Sequence, residues 1–311
     1  MSFSWNDILG QEPLIEQCKK WVASGTLPHA ICLYAPAGGG KRTFTRILAA
    51  AFFCNNEQPP CGICVNCRRV ERDIHPDLIW LRESRNIAMG ITEANEIVSR
   101  LKVMPHLGSR RMIVLERAHT MTEQGQNKLL KTLEEPPDGT LLVLLSESLS
   151  AMLPTVLSRC ALLRLAPLEQ RQIRDRLEQE GAEPDAAAEA AAISGGWMGQ
   201  AKQAAEDSGY LEMERAVREV LLSFPEPDGF LRAFQTMKPY RKNRLDDCLA
   251  LISRHFEEAA AGRQPISGWD QARILTAWNA IEDARQSLQM NCNPGITLDA
   301  LMLKLTGLFR R

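Results

Sequence analysis

Four cysteines lie close together in the first quarter of the chain, and their thiol groups can bind a metal ion. Cys54, Cys61, Cys64 and Cys67 are separated by six, two and two residues. Four thiolates complete a tetrahedral shell around Zn²⁺ at Zn–S distances of about 2.3 Å and leave no position for a reacting water. The spacing therefore predicts a structural zinc module near residues 54–67. The alternative is redox chemistry or two free thiol pairs.

A glycine-rich loop at residues 35–42 carries most of a phosphate-binding motif. Gly38, Gly40 and Lys41 match a loop whose backbone N–H groups cradle phosphates while the lysine contacts their charge. The first glycine of the motif is an alanine here, and Arg42 replaces the Ser/Thr that would ligate Mg²⁺. Because a guanidinium cannot ligate a cation, the loop predicts at most nucleotide binding without hydrolysis.

The second half of an ATPase site is expected at the end of the third predicted strand. A working site has an aspartate there, which orients the Mg²⁺ shell, and a glutamate, which activates the attacking water. Here the two residues are Glu116 and Arg117. Glu116 keeps an acidic group, but Arg117 cannot act as a general base because its pKa exceeds about 12. Two altered motifs at strand ends predict an inactivated nucleotide site rather than an unrelated loop.

Strands and helices must position these residues, and the sequence indicates them as short apolar runs that alternate with helical patterns. Uninterrupted apolar strands separated by helices are typical of a parallel sheet with helices on both faces. Strands are predicted at 30–34, 78–81, 112–115, 141–145 and 161–165, and helices at 42–53, 92–104, 123–133 and around 152–157. After Pro167 the patterns are helical.

Three domains are predicted from this layout: an α/β domain at 1–166, a small helical domain at 167–207 and a larger helical domain at 208–311. A length of 311 residues suits two or three domains. A net charge of −1 argues against a protein that grips DNA mainly through its own surface. The sequence has neither an apolar run long enough for a bilayer nor a signal peptide, so we expect a cytoplasmic protein without a membrane partner.

Five further segments resemble the motifs of one protein family. They are WNDILGQ at 5–11, PHA at 28–30, HPD at 75–77, NKLLKTLEEPP at 127–137 and SRC at 158–160. Together they resemble the AAA+ subunits of bacterial clamp loaders. The resemblance implies an AAA+ P-loop module followed by a helical lid and an all-α collar that oligomerises. It also implies DNA replication, in which ATP on γ/τ subunits drives the loading of the β sliding clamp on primed DNA for DNA polymerase III.

Within this family, the departures favour the non-hydrolysing delta prime (δ′) type over the hydrolysing γ and τ types. Gly199 stands where the family has its second sensor arginine, so Arg42, Arg117 and Gly199 are three lost positions. Arg159 keeps the place of the family's arginine finger, which acts in trans on a neighbouring subunit's ATP. The residues alone leave an alternative, in which Arg159 caps a helix or pairs with a surface carboxylate.

The resemblance thus implies a stator subunit of a DNA-directed DNA polymerase holoenzyme. Its partners would be γ/τ and δ subunits, its cofactor structural zinc, and its own site would not hydrolyse ATP with Mg²⁺. One rival is an active γ/τ-type ATPase with unusual motifs, and another is an AAA+ adaptor in DNA repair. Lys128 and Lys131 belong either to a surface that faces DNA or simply to the exposed side of a packed helix.

Overall fold

A computed structural model of the chain describes residues 3–81, 90–226, 228–240, 244–260, 262, 266–289 and 292–308. The chain divides into two compact units. The first comprises Met1–Gly181 with Gly196–Ala201, and the second comprises Ala182–Gly195 with Lys202–Arg311. The predicted division into three domains at residues 167 and 208 stays a prediction.

Five parallel strands form the sheet of the first unit. They are β1 (Ala30–Tyr34), β2 (Leu78–Leu81), β3 (Arg111–Leu115), β4 (Thr140–Ser146) and β5 (Ala161–Arg164). Their order across the sheet is β2-β3-β4-β1-β5. Only β4 therefore separates β1, which precedes the glycine-rich loop, from β3, which precedes the altered acidic pair. The predicted parallel sheet is confirmed, and each predicted strand end lies within one residue of the observed one.

Helices cover both faces of this sheet. Alternate residues of β1 point into two different apolar clusters, Ile31 and Leu33 into one and Ala30 and Cys32 into the other. This alternation places one cluster on each face, as a doubly covered parallel sheet requires. The first six helices are α1 (Glu12–Ser24), α2 (Lys41–Phe53), α3 (Val65–Glu71), α4 (Ile91–Lys102), α5 (Glu123–Glu134) and α6 (Pro154–Leu157).

The remaining elements are helical, as the pattern after Pro167 predicts. The α-helices are α7 (Gln170–Gln179), α8 (Pro184–Ile193), α9 (Met198–Glu206), α10 (Ser208–Ser223), α11 (Gly229–Met237), α12 (Leu245–Ala260), α13 (Gln271–Gln289) and α14 (Pro294–Gly307). The first unit contains α7 and the start of α9, and the second contains the other helices. Across the described ranges, no helix combines the length and the hydrophobicity that crossing a membrane requires.

A buried carboxylate joins two helices of the second unit. Glu214 on α10 is fully buried, and Arg254 and His255 on α12 approach its oxygens at 3.0 and 3.1 Å. Arg218, one turn further along α10, donates to it at 2.9 Å. Burial alone would raise the pKa of Glu214, but the hydrogen bond from His255 and the two arginine charges hold it below its ordinary value. Glu214 is thus a charged link between α10 and α12.

Glu214→Gln should lower the free energy of unfolding by about 3–5 kcal/mol, because it removes the carboxylate charge that pairs with Arg254 and His255 in a buried location. A carboxylate with a depressed pKa stabilises the folded state above the ordinary value of 4.5 and loses that contribution as the pH falls through the folded-state pKa. The difference between wild type and variant should therefore narrow below pH 4.5.

Denaturant unfolding at neutral and acidic pH measures both effects. Glu219→Gln, an exposed position on the same helix, is the matched control and should change stability by less than about 0.5 kcal/mol. If both variants lost the same free energy of unfolding, the buried ion pairs of Glu214 would contribute no more to stability than an exposed side chain does.

Candidate functional site

The four cysteines predicted as metal ligands lie together in the first unit. Cys54 directly follows α2, and Cys64 is the N-cap of α3, where its sulfur accepts the N–H of Cys67 at 3.4 Å. The four sulfur atoms all lie within 4.8 Å of one another. A tetrahedral ion with Zn–S distances of about 2.3 Å needs S···S separations of about 3.8 Å, which fits inside this limit. The group can therefore hold a metal ion.

The backbone around the four cysteines favours the thiolate form of Cys61. Burial would raise the pKa of Cys61, but the backbone N–H groups of Cys64 and Ile63 outweigh it and lower the pKa to about 7. Burial raises the pKa of Cys67. The loop between the first two cysteines is tied to the N-terminal segment, because the indole of Trp5 donates to the carbonyl of Pro59 at 2.9 Å.

The glycine-rich loop lies between β1 and α2, at the carboxyl edge of the sheet. Gly38 and Gly40 have φ angles of +76° and +81°, a region that other residues rarely adopt. A Cβ on Gly39 would lie 2.6 Å from the Cβ of Ala35. The loop therefore needs glycine at each of these three positions, independently of any ligand.

Lys41 directs its ammonium group back onto the loop. Its Nζ donates to the carbonyls of Ala35 at 2.6 Å and Pro36 at 2.9 Å, and it pairs with Glu147 at 3.4 Å. An ammonium has three N–H donors, so these contacts account for all of them. Burial lowers the pKa of Lys41, and the Glu147 carboxylate opposes this shift. A phosphate at this loop would have to compete with these internal partners.

Glu147 is a site residue that the sequence pattern did not indicate. It directly follows β4, and its N–H donates to Nδ1 of His119 at 3.1 Å. Ser146, the last residue of β4, is fully buried and donates to the carbonyl of Ser148. The available signal was the position of Glu147 at the carboxyl end of a central strand, where binding residues of parallel sheets often lie.

Arg42 and Glu116 form an ion pair across the site. Arg42 lies in the first turn of α2, and its Nη2 donates to Oε2 of Glu116, just after β3, at 2.5 Å. The carboxylate side chain is 7% exposed and the arginine side chain 67% exposed. Positive charge is unfavourable at a helix N-terminus, and the carboxylate offsets it. The guanidinium thus joins the two positions that a bound magnesium ion would join in a hydrolysing site.

Arg117 has a backbone role beside this pair. Its φ of +52° is left-handed, and its carbonyl accepts both the N–H and the hydroxyl of Thr120 at 2.8 Å. The residue therefore shapes the turn that follows Glu116, and its side chain brings a second positive charge to the place where a general base is expected.

The start of α9 packs directly on the glycine-rich loop within the first unit. The N–H of Gly199 donates to the carbonyl of Gly38 at 2.9 Å, and the side chain of Gln200 donates to the carbonyl of Ala37 at 3.1 Å. A Cβ on Gly199 would lie 2.6 Å from the Cα of Gly38. Any larger residue at this position, including arginine, would separate these two backbones.

Arg159 lies on the surface, just after α6, and its guanidinium is held within its own chain. Its Nε and Nη2 donate to Oε1 of Glu134 at 3.0 and 2.6 Å, and its Nη1 donates to the carbonyl of Thr155 at 2.9 Å. The side chain is 35% exposed. The surface carboxylate of the alternative interpretation is therefore present as Glu134, and the role of Arg159 in trans stays a prediction.

The sheet order, the loop between β1 and α2 and the acidic residue after β3 define a P-loop ATPase module of the AAA+ type, with altered residues at the nucleotide-contacting positions. A family model described as DNA polymerase III, delta subunit, matches residues 10–169. The chain belongs to this family, the clamp-loader AAA+ family of DNA polymerase III.

Curated relatives carry more than one subunit name. The chain is 31% identical over 188 residues to DNA polymerase III subunit delta′ of Bacillus subtilis, covering 59% of this chain and 56% of that protein. It is 36% identical over 135 residues to subunit delta′ of Pseudomonas aeruginosa, covering 42% and 41%. It is 29% identical over 174 residues to subunit tau of Escherichia coli, covering 55% and 27%. The chain thus aligns with about a quarter to a little over half of these relatives' lengths.

The purified chain should contain about one metal ion, and Cys64→Ser should lose most of it and unfold at a lower temperature, because three thiolates hold the ion less tightly than four. Elemental analysis and thermal unfolding with and without a chelator measure this. Cys292→Ser removes an exposed cysteine outside the module and should change neither quantity. A wild-type chain without metal after purification and zinc addition would contradict the assignment.

Proposed function

We propose that this chain is a non-hydrolysing δ′-type subunit of a bacterial DNA polymerase III clamp loader. It would assemble with γ/τ and δ subunits and act as a stator while the complex places the β sliding clamp on primed DNA. Family membership supports this setting, but relatives named delta′ and tau are both similar to the chain. The chemistry of the site must therefore separate the two types. The observation that carries the proposal is the Arg42–Glu116 ion pair.

The ion pair opposes Mg²⁺ in two ways. Mg²⁺ requires near-octahedral oxygen ligands at about 2.0–2.1 Å, and the Oε2 atom of Glu116 already accepts a charged hydrogen bond from Arg42. The guanidinium also places a positive charge where the divalent cation would sit, next to a carboxylate whose side chain is only 7% exposed. Arg117 offers no base for the attacking water. Loss of metal and loss of base both support a subunit without ATPase activity.

Two further contacts oppose the binding of phosphates. The ammonium of Lys41 is engaged by two loop carbonyls and Glu147, and the backbone of Gly199 lies against that of Gly38. A nucleotide would have to displace both sets of contacts, so they support weak nucleotide binding at most. A chain held in one arrangement by its own contacts suits a stator, because no nucleotide-driven change is needed at this site.

Two other assignments belong to the proposal. Arg159 would contribute to ATP hydrolysis in a neighbouring subunit, where a planar guanidinium suits the oxygens of a phosphoryl group. Zinc is the metal we assign to Cys54, Cys61, Cys64 and Cys67, because four thiolates favour a soft or borderline ion in a closed structural site.

The isolated chain should show no ATP turnover above background, because its site lacks a metal ligand and a base. Steady-state ATPase assays with Mg²⁺ measure this, and Lys41→Ala distinguishes the chain's own activity from a contaminant. Turnover that Lys41→Ala abolishes would support the rival interpretation of an active γ/τ-type ATPase.

Arg159→Ala in a complex reconstituted with a hydrolysing subunit should slow hydrolysis at the adjoining ATP site by about 10³-fold or more, the typical contribution of an arginine finger. DNA-stimulated ATPase and clamp loading are the measurements. Arg171→Ala, an arginine whose side chain is 81% exposed, is the control and should retain both activities. Unchanged hydrolysis with Arg159→Ala would reject the finger, and failure to assemble with γ/τ and δ subunits would favour the repair-adaptor alternative.

A further inference from the structure

Glu134 holds one edge of the Arg159 guanidinium. It is the last residue of α5, and its Oε1 accepts from both Nε and Nη2 of Arg159, at 3.0 and 2.6 Å. The carbonyl of Thr155 accepts from Nη1 at 2.9 Å. All three guanidinium nitrogens thus have a partner in the same chain, supplied by two different elements. An arginine anchored on two elements samples far fewer rotamers than a free surface arginine.

The position of Glu134 is unfavourable without Arg159. The carboxyl end of a helix carries a partial negative charge, so a carboxylate in the last residue of α5 is repelled by the helix. Glu135 follows directly and adds a second negative charge. The guanidinium of Arg159 offsets this repulsion at Glu134. The pair is therefore mutually dependent: the arginine neutralises the helix end, and the carboxylate fixes the arginine.

The contacts leave the outer edge of the guanidinium for another anion. A guanidinium has five N–H donors, two of them on each Nη atom. Glu134 takes the Nε–H and one N–H of Nη2, and Thr155 takes one N–H of Nη1. The second N–H of Nη1 makes a long contact with the hydroxyl of Ser158, at 3.4 Å, and the second N–H of Nη2 remains. These two donors match two oxygens of a phosphate when the phosphate takes the place of the Ser158 hydroxyl. The side chain as a whole is 35% exposed, so part of it is accessible to another subunit.

We propose that Glu134 is a positioning residue for Arg159, which orients the guanidinium so that its Nη1/Nη2 edge is available to the triphosphate of a nucleotide bound by the neighbouring subunit. The inference rests on the proposed function of Arg159 in trans. It gives the second half of the 127–137 segment a chemical role that helix packing does not explain. Pre-orientation increases the rate because the finger need not be ordered at the moment of reaction.

The test uses the reconstituted complex, with the other hydrolysing subunits inactivated in their phosphate loops so that only the site adjoining this chain turns over ATP. Glu134→Gln keeps the size of the side chain but removes its charge. We expect kcat to fall by about tenfold, a typical loss when a supporting residue is removed, with a smaller change in KM, since the finger acts mainly on the transition state. Glu134→Asp, which retains the charge, should recover part of the rate.

Glu135→Gln is the matched control, because it removes the same charge from the adjacent residue, which has no contact with Arg159 in the described structure. It should leave kcat unchanged. Thermal unfolding of the isolated variants checks that all remain folded. In the double variant Arg159→Ala with Glu134→Gln, the second change should have no additional effect, because it acts only through the finger.

The outcomes separate the two proposals. If Arg159→Ala leaves hydrolysis unchanged, the finger is rejected and the positioning role with it. If Arg159→Ala lowers kcat but Glu134→Gln matches wild type, the finger stands and the positioning role is wrong. A rise in kcat with Glu134→Gln would also overturn the inference, since it would mean that the carboxylate restrains the finger.

Discussion

One guanidinium links the two elements around which a nucleotide site is built. Arg42 extends from the first turn of α2 to Glu116 after β3, and the two residues are 74 positions apart in the chain. The parallel sheet makes this contact possible, because only β4 lies between β1 and β3. Under the proposed function, this covalently attached cation lies between the two elements where a hydrolysing enzyme would bind a metal ion.

Other groups of the site are also contacted by residues of the same chain. The ammonium of Lys41 is satisfied by carbonyls of its own loop and by Glu147, and the Gly38–Gly199 approach is possible because neither residue has a side chain. Polar groups in a partly buried site must find partners, and these groups find them within the chain. Under the proposed function, the internal contacts stand in place of those that a nucleotide would make.

Paired charges recur at two other places, with different consequences. Glu214 is fully buried, and its arginine and histidine partners join two helices of the second unit, so this pair acts on stability. Glu134 is half-exposed, and its contact with Arg159 leaves part of the guanidinium accessible. Exposed ion pairs contribute little to stability, which is why we assign the Glu134–Arg159 pair to orientation rather than to folding.

The sequence by itself determined the five strands, four helices of the first unit (α2, α4, α5 and α6), the helical second half and the candidate metal ligands. It did not indicate α1 and α3. The predicted features depend on the periodicity of apolar residues and on the spacing between residues, and both are visible within one short segment of the chain. It also indicated that Arg42, Arg117 and Gly199 are unusual. Only the tertiary structure decided which residues contact Arg42, Gly199 and Arg159: Glu116, Gly38 and Glu134, respectively. Lys41 and Glu147 lie 106 residues apart, and contacts at such separations depend on strand order and packing, which no local pattern encodes.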